Sequence, residues 1–383
     1  MSRLPKHSQT TLRRRKYSRH VSSSNRAFTS FELNNSTPQV ANVADIFTGR
    51  LITEIPQALS AICDALVDKT SLVEINLSDN AFGGRSVDPM VPFLTNNRSF
   101  QILKLNNNGL GPEGGAVVAN ALLQSAVLSK KEGVPSNLRT VICGRNRLED
   151  GSAPVWGEAL REHGGLTRVE MTQNGIKPDG ISALLRGIAA CKDLVHLNLQ
   201  DNTFGVKGSK TAAEVLSSWP HLESLNFADC VLAQEGEVSP VVPVLLSGSN
   251  SKLTVLQLAN NNMDSQSFAL FVEGINEHLP HLKTFEIFWN DFDEDDESVV
   301  SLGGTMTKRG GKLVITDPEE EEEEEEKGEE EKEEEEKEEK EEAAVPAPQA
   351  PSGGADKTTF DKATDALAEL LSKVSIGSSA QKA

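Results

Sequence analysis

The chain has 383 residues, with 57 Asp and Glu against 38 Lys and Arg and a net charge of −19. Phosphate binding rests on Lys and Arg, and no apolar run reaches the roughly 18 to 20 residues that span a bilayer, so neither a nucleic-acid partner nor a membrane span is expected. Four cysteines, Cys63, Cys143, Cys191 and Cys230, lie at apolar positions without a secretory leader pattern, which points to a reducing compartment.

Residues 1–37 form a basic, Ser-rich arm. The first 27 residues carry 8 Lys or Arg and no acid, and the cluster Arg13, Arg14, Arg15, Lys16 and Arg19 fits a transit peptide, a nuclear-localisation patch or a disordered arm. Disorder is the expectation. From residue 38 the pattern changes, with a degenerate strand predicted at Pro38–Val43 and a helix at Glu54–Val67. Then L-x-x-L-x-L-x-x-N-x-L recurs eight times, from Leu72, Phe100, Leu138, Leu166, Leu194, Leu222, Leu253 and Leu282, at intervals of 28, 38, 28, 28, 28, 31 and 29 residues. This is the leucine-rich repeat, one strand and one helix per unit.

In the first copy Leu72, Ile75, Leu77 and Phe82 point inward, and Glu74 and Asn76 alternate outward. Asn80, Asn108, Asn146, Asn174, Asn202, Asn261 and Asn290 fill a ladder position where a buried amide can satisfy backbone groups left unpaired by the turn, and Cys230 takes that place once. Helical spacing follows each turn, as in Pro112–Leu123 with Val117, Val118, Ala121 and Leu122 apolar. The predicted fold is an α/β leucine-rich-repeat solenoid over residues 38–316, a crescent with a parallel sheet on its concave face and helices outside.

Beyond it, residues 317–345 form an acidic tail predicted to be disordered, since Glu319–Glu342 holds 19 Glu and 4 Lys. Taking that −15 and the arm's +8 from the total leaves −12 for the rest, so the solenoid itself is acidic and suits a basic protein partner. A Pro- and Gly-containing linker spans residues 346–359. Phe360, Ala363, Leu367, Leu370, Leu371 and Val374 then keep helical spacing within residues 360–375, a short amphipathic helix.

Catalytic motifs are missing. The seven histidines fit neither H-E-x-x-H nor paired metal-ligand spacing, and no G-x-x-x-x-G-K-[ST] loop is present. The glycines of Asn108–Gly115 read as a turn into a helix. No cofactor is expected and the chain is not expected to be an enzyme. What varies chemically is the residue before each ladder position: Asp79, Asn107, Arg145, Gln173, Asp201, Asp229, Asn260 and Trp289. A solvated turn explains any one of them, but a row of such turns is where a solenoid binds.

Three stretches narrow the reading. Asp45-Ile46-Phe47-Thr48-Gly49-Arg50, Leu77-Ser78-Asp79-Asn80-Ala81-Phe82-Gly83 and Cys143-Gly144-Arg145-Asn146-Arg147-Leu148-Glu149 resemble signature segments of the Ran GTPase-activating protein family, and the likeness runs from about Val43 to Asp296. The resemblance implies a protein that binds the GTP form of the nuclear-transport GTPase Ran and accelerates hydrolysis without an arginine finger. Asn107 would be its catalytic contributor, holding the partner's glutamine, and Arg50, Asp79, Asn80, Arg145, Arg147 and Asp201 its partner-binding set. Asn80, Asn108 and Asn146 also read as purely structural. A Ran-binding protein in a ternary complex and a cytoplasmic location, extending to the nuclear envelope, belong to the same expectation. The alternative is a non-catalytic scaffold or inhibitor holding a basic protein partner. Family members open with a complete repeat and a cap ahead of D-I-F-T-G-R, whereas residues 1–39 carry no such pattern, so the first turn is expected to lack its usual cap.

Overall fold

The structure, a computed structural model, describes residues 39–47, 51, 53–293 and 295–318. All of these belong to one compact unit. Arg50, the basic arm, the acidic tail, the linker and the amphipathic segment at 360–375 lie outside the described residues.

The described residues hold ten three-residue strands in a single parallel sheet, arranged in chain order. They are β1 (Val40–Asn42), β2 (Glu74–Asn76), β3 (Ile102–Lys104), β4 (Thr140–Ile142), β5 (Arg168–Glu170), β6 (His196–Asn198), β7 (Ser224–Asn226), β8 (Val255–Gln257), β9 (Thr284–Glu286) and β10 (Lys312–Val314). Between them run α1 (Ile55–Leu66), α2 (Val91–Asn96), α3 (Gly111–Lys131), α4 (Glu149–His163), α5 (Pro178–Ile188), α6 (Gly205–Leu216), α7 (Val241–Leu245), α8 (Ser265–His278) and α9 (Glu297–Lys308). This is an α/β leucine-rich-repeat solenoid.

Register follows from the repeat. The middle residue of each strand is apolar and the middle residues pair in sequence, Ala41 with Ile75, Ile75 with Leu103, Leu103 with Val141, and onward to Phe285 with Leu313. A shift of one residue would turn that whole row to solvent. The strand residues and the helices' apolar faces share one continuous core, with Trp156, Trp219, Phe82, Phe204 and Phe285 fully buried in it. The helices start where the sequence allows. Pro56, Pro92, Pro112 and Pro178 stand in first turns, where a missing N–H costs nothing, and Asp264 and Asp296 cap α8 and α9 by accepting from backbone N–H groups.

Two features depart from the simple repeat count. The 38-residue interval is absorbed by α3, whose 21 residues extend well past Leu123, about 31 Å at 1.5 Å per residue. A tenth strand, β10, closes the described sheet without an L-x-x-L-x-L run of its own. It pairs only with β9 among the described residues and is followed by no ladder amide, so the sequence pattern that marks an interior repeat is not needed there. The helices approach closely at one crossing. A Cβ on Gly187 would stand 2.0 Å from the Gly157 carbonyl, which only the bare backbone of both α4 and α5 permits.

Each of the four cysteines is a buried free thiol. Burial pushes Cys63 and Cys143 up to about 12 and Cys191 to about 11, and raises Cys230 as well, so none is poised as a nucleophile. No helix among the described residues is long and apolar enough to cross a membrane.

Candidate functional site: the edge of the turns

The ladder is built as its spacing requires. Nδ2 of Asn80 donates to the carbonyls of Val43 and Leu77 at 3.0 and 2.8 Å, and its Oδ1 accepts from Ile46 and Phe47 N–H at 2.9 and 3.2 Å. Asn108 repeats this with the carbonyls of Leu77 and Leu105, and its Oδ1 takes the N–H of Asn80. Asn146, Asn174, Asn202, Asn261 and Asn290 continue the chain of amides. At Cys230 the thiol donates to the carbonyls of Leu199 and Ala228 instead, at 3.4 and 3.2 Å. Asn80 is therefore buried with its amide spent on backbone groups, so its side chain serves the frame and not the surface expected of a partner-binding residue.

The residue before each ladder position has a different fate. Asp45, Asp79, Asn107, Arg145, Gln173, Asp201, Asp229, Asn260 and Trp289 all adopt the left-handed conformation, with φ between 51° and 63°. Each backbone N–H along the first eight is held by the next repeat: Asp79 donates to Asn106 O at 2.8 Å, Asn107 to Gly144 O at 2.9 Å, Arg145 to Thr172 O at 2.9 Å and Asp201 to Ala228 O at 3.1 Å. The turn thus sets the backbone and leaves the side chains outward. Asp and Asn tolerate this conformation and supply six of the nine; Arg145, Gln173 and Trp289 occupy it against their preference.

Asp79, Asn107 and Arg145 hold successive places on this edge, all three exposed. Asn107 Nδ2 donates to Asp79 Oδ1 at 3.2 Å. Below them Asn106 Oδ1 accepts from Gly144 N–H at 2.6 Å, and Asn106 N–H donates to Ser78 Oγ at 3.1 Å. Gly144 is a steric requirement of this floor, since a Cβ there would stand 2.5 Å from Thr172 Oγ1 and 3.3 Å from Asn106 Oδ1. Arg147, two residues beyond Arg145, is also exposed and left-handed at φ 53°, and Glu149 follows at φ 49°. Three non-glycine left-handed residues within five positions concentrate backbone strain, at roughly 1–3 kcal/mol each, beside Asn107.

Arg147, Glu149, Gln173, Gly175 and Lys177 line an open recess at the N-terminal ends of α4 and α5. Asp201 is not part of this group: it is three strands from Asn107, roughly 14 Å at about 4.8 Å per strand. Arg50 lies outside the described residues, although Asp45 and buried Phe47 of the same segment are seated on the first repeat.

Sequence reasoning missed the floor of Asn106, Ser78 and Gly144 and the Asp79–Asn107 bond. An Asp followed one repeat later by an Asn on the edge row is the signal that could have found the bond. It also missed a polar cluster on the open sheet face, where Glu170 accepts from Arg168 Nε at 2.6 Å and faces His196 Nε2 at 3.1 Å. The His196 contact and then the Arg168 guanidinium hold its carboxyl below the usual range.

A family model described as Leucine Rich repeat matches residues 96–119. Ran GTPase-activating protein 1 of Saccharomyces cerevisiae is 36% identical over 263 residues, covering 67% of this chain and 64% of that protein. Ran GTPase-activating protein 1 of Xenopus laevis is 46% identical over 136 residues, covering 35% of this chain and 23% of that protein. The chain thus spans somewhat under two thirds of the yeast relative and about a quarter of the frog one. Among solved structures, a leucine-rich repeat-containing protein of Legionella pneumophila, LegL7, is 18% identical with a TM-score of 0.40, over 76% of this chain and 85% of that one.

Proposed function

We propose, from the premise that the chain belongs to the family of the Ran GTPase-activating proteins, that it binds the GTP form of Ran along the edge of the turns and accelerates hydrolysis. The bond-breaking is the partner's own. A GTPase that orients its attacking water with a mobile glutamine is slow, and an activator that holds that side chain in place removes the wait. Asn107 is the group suited to this, because a primary amide presents a donor and an acceptor to the matching pair on a glutamine. Its exposed place between Asp79 and Arg145 is the single observation that carries the reading. No finger is inserted: Arg145 and Arg147 bind the partner's surface as fixed donors, Arg50 joins them, and Asp201 engages a basic group farther along the edge. The Glu319–Glu342 segment raises the association rate by attracting a basic patch, an effect that salt screens.

The deciding measurement is single-turnover hydrolysis by purified GTP-loaded Ran with and without the full chain. Acceleration that Asn107→Ala lowers by on the order of 100-fold, with the fold intact by thermal unfolding, is the expected result. Tight binding without acceleration would favour a scaffold or inhibitor instead, and normal stimulation by the variant would defeat the role given to Asn107.

A further inference from the structure

We propose that Asp79 is a positioning residue: its carboxylate decides which end of the Asn107 amide is turned toward the partner. The inference rests on the reading that Asn107 engages the GTPase, and it gives Asp79 a task different from direct partner binding.

A primary amide has two ends of nearly equal shape and opposite hydrogen-bonding character, so an exposed Asn can flip at little cost. A carboxylate is an acceptor only. Asp79 Oδ1 accepts from Asn107 Nδ2 at 3.2 Å, and the flipped amide would set its own oxygen against that carboxylate. On the other side Arg145 holds the next place on the edge, exposed. The Asp79 contact thus favours one orientation of the amide. One Nδ2 hydrogen is consumed by Asp79, which leaves one N–H and the Oδ1 for a ligand. That is the complement of another primary amide.

The backbone makes this bond structural in origin. Asp79 and Asn107 are both left-handed, at φ 63° and 54°, and their N–H groups are tied to Asn106 O and Gly144 O. Their separation is thus fixed by the ladder before any side chain is placed. The same Asp-then-Asn order recurs at Asp229 and Asn260, and Asn260 Nδ2 donates to Asp229 Oδ1 there too.

The test is Asp79→Asn in the full chain. Asn keeps the size and tolerates φ > 0, but its side chain can accept or donate and no longer selects an orientation. Single-turnover hydrolysis by GTP-loaded Ran is measured across a range of chain concentrations. The saturating rate is expected to fall by about 2- to 10-fold, the scale of one lost hydrogen bond, while the half-saturating concentration stays put. In an Asn107→Ala background the same substitution should do nothing more. A raised half-saturating concentration, a loss that persists in the Asn107→Ala background, or no loss at all would overturn the proposal. If the wild-type chain does not accelerate Ran, the underlying reading fails, and the free chain still decides this one by NMR. The two Asn107 side-chain NH2 protons should be well separated in the wild type and drawn together in Asp79→Asn; resonances unmoved by the substitution would reject the positioning role.

Discussion

The two ends of the edge carry the same device in different company. Near the start, Asp79 holds Asn107 and Arg145 comes next, with Arg147 and Glu149 strained beside it. Near the end, Asp229 holds Asn260 and the next residue is Trp289, half-exposed, in edge-to-face contact with Phe288 and bordered by Asp291 and Asn262. Backbone conformation and the Asp–Asn contact are alike in both, and the ladder place after the Asp is Asn80 in one and the Cys230 thiol in the other, so neither the conformation nor the contact distinguishes a binding site from a solvated turn. What differs is the charge that follows: donor-only guanidinium groups in one region, an aromatic ring among acids in the other. The frame presents side chains, and their chemistry along the row decides what can bind.

The largest effect should come from breaking the likeness directly. Asn107→Ala is expected to lower the single-turnover hydrolysis by Ran that the chain stimulates by on the order of 100-fold, the range seen when one preorganised donor is removed, whereas Asn260→Ala leaves it unchanged. Equal losses from both would mean that the edge acts as a whole. Next in size is the contrast between neighbours within one region. Asn108→Ala leaves the buried Asn80 N–H without its acceptor and removes one of the two amide donors to each of the Leu77 and Leu105 carbonyls, which keep Asn80 and Asn146, and should destabilise the chain by roughly 3 kcal/mol, from about 1–3 kcal/mol for the unsatisfied N–H and about 1 kcal/mol for each lost bond. Asn107→Ala, exposed, should cost under about 1 kcal/mol, mainly for placing Ala at positive φ. Chemical denaturation of the two variants separates frame from surface.

The smallest effect concerns pH. His163 ends α4, with Nε2 at 2.9 Å from Leu122 O on α3 and Nδ1 at 2.6 Å from Ser136 Oγ. Burial first, and the Arg139 charge as well, pull it down to about 4, against the Leu122 hydrogen bond that works the other way. Above pH 6.5 the ring is neutral whether the chain is folded or not. Below that the unfolded chain takes up the proton and the folded one resists until about 4, so stability is lost as pH falls through this window, by up to about 3 kcal/mol at 1.36 kcal/mol per unit. Hydrogen exchange at pH 7 and pH 5 should show protection falling in α3 and α4. His163→Gln should flatten that dependence; a fall of equal size in the variant would assign it to other groups.

Most of the architecture is legible in the chain because the repeat is local and redundant. Leu72, Ile75, Leu77 and Asn80 state in nine residues where a strand lies, which face is buried and where the amide ladder runs, and the next copy states it again. The strand β10 was not legible: among the described residues it pairs with β9 alone and no ladder amide follows it, so the pattern that marks the interior repeats is missing there. The site divides the same way. Asn107 and Arg145 are visible in the sequence as two members of the row of variable turn residues, and what singles them out, with Arg147, is the resemblance. That Asn80 is spent on the frame follows only once its four backbone partners are seen.

By itself the sequence determined the α/β repeat, its period, the ladder positions and the row of variable residues on the turns, because each depends on spacing along a single strand and helix. Only the tertiary structure decided that this row is left-handed throughout, that Gly144 and Asn106 form a floor beneath it, and that Asp79 reaches Asn107. Those facts join residues 28 or 38 apart, and a hydrogen bond or a 2.5 Å clash between neighbouring repeats exists only after the repeats have stacked.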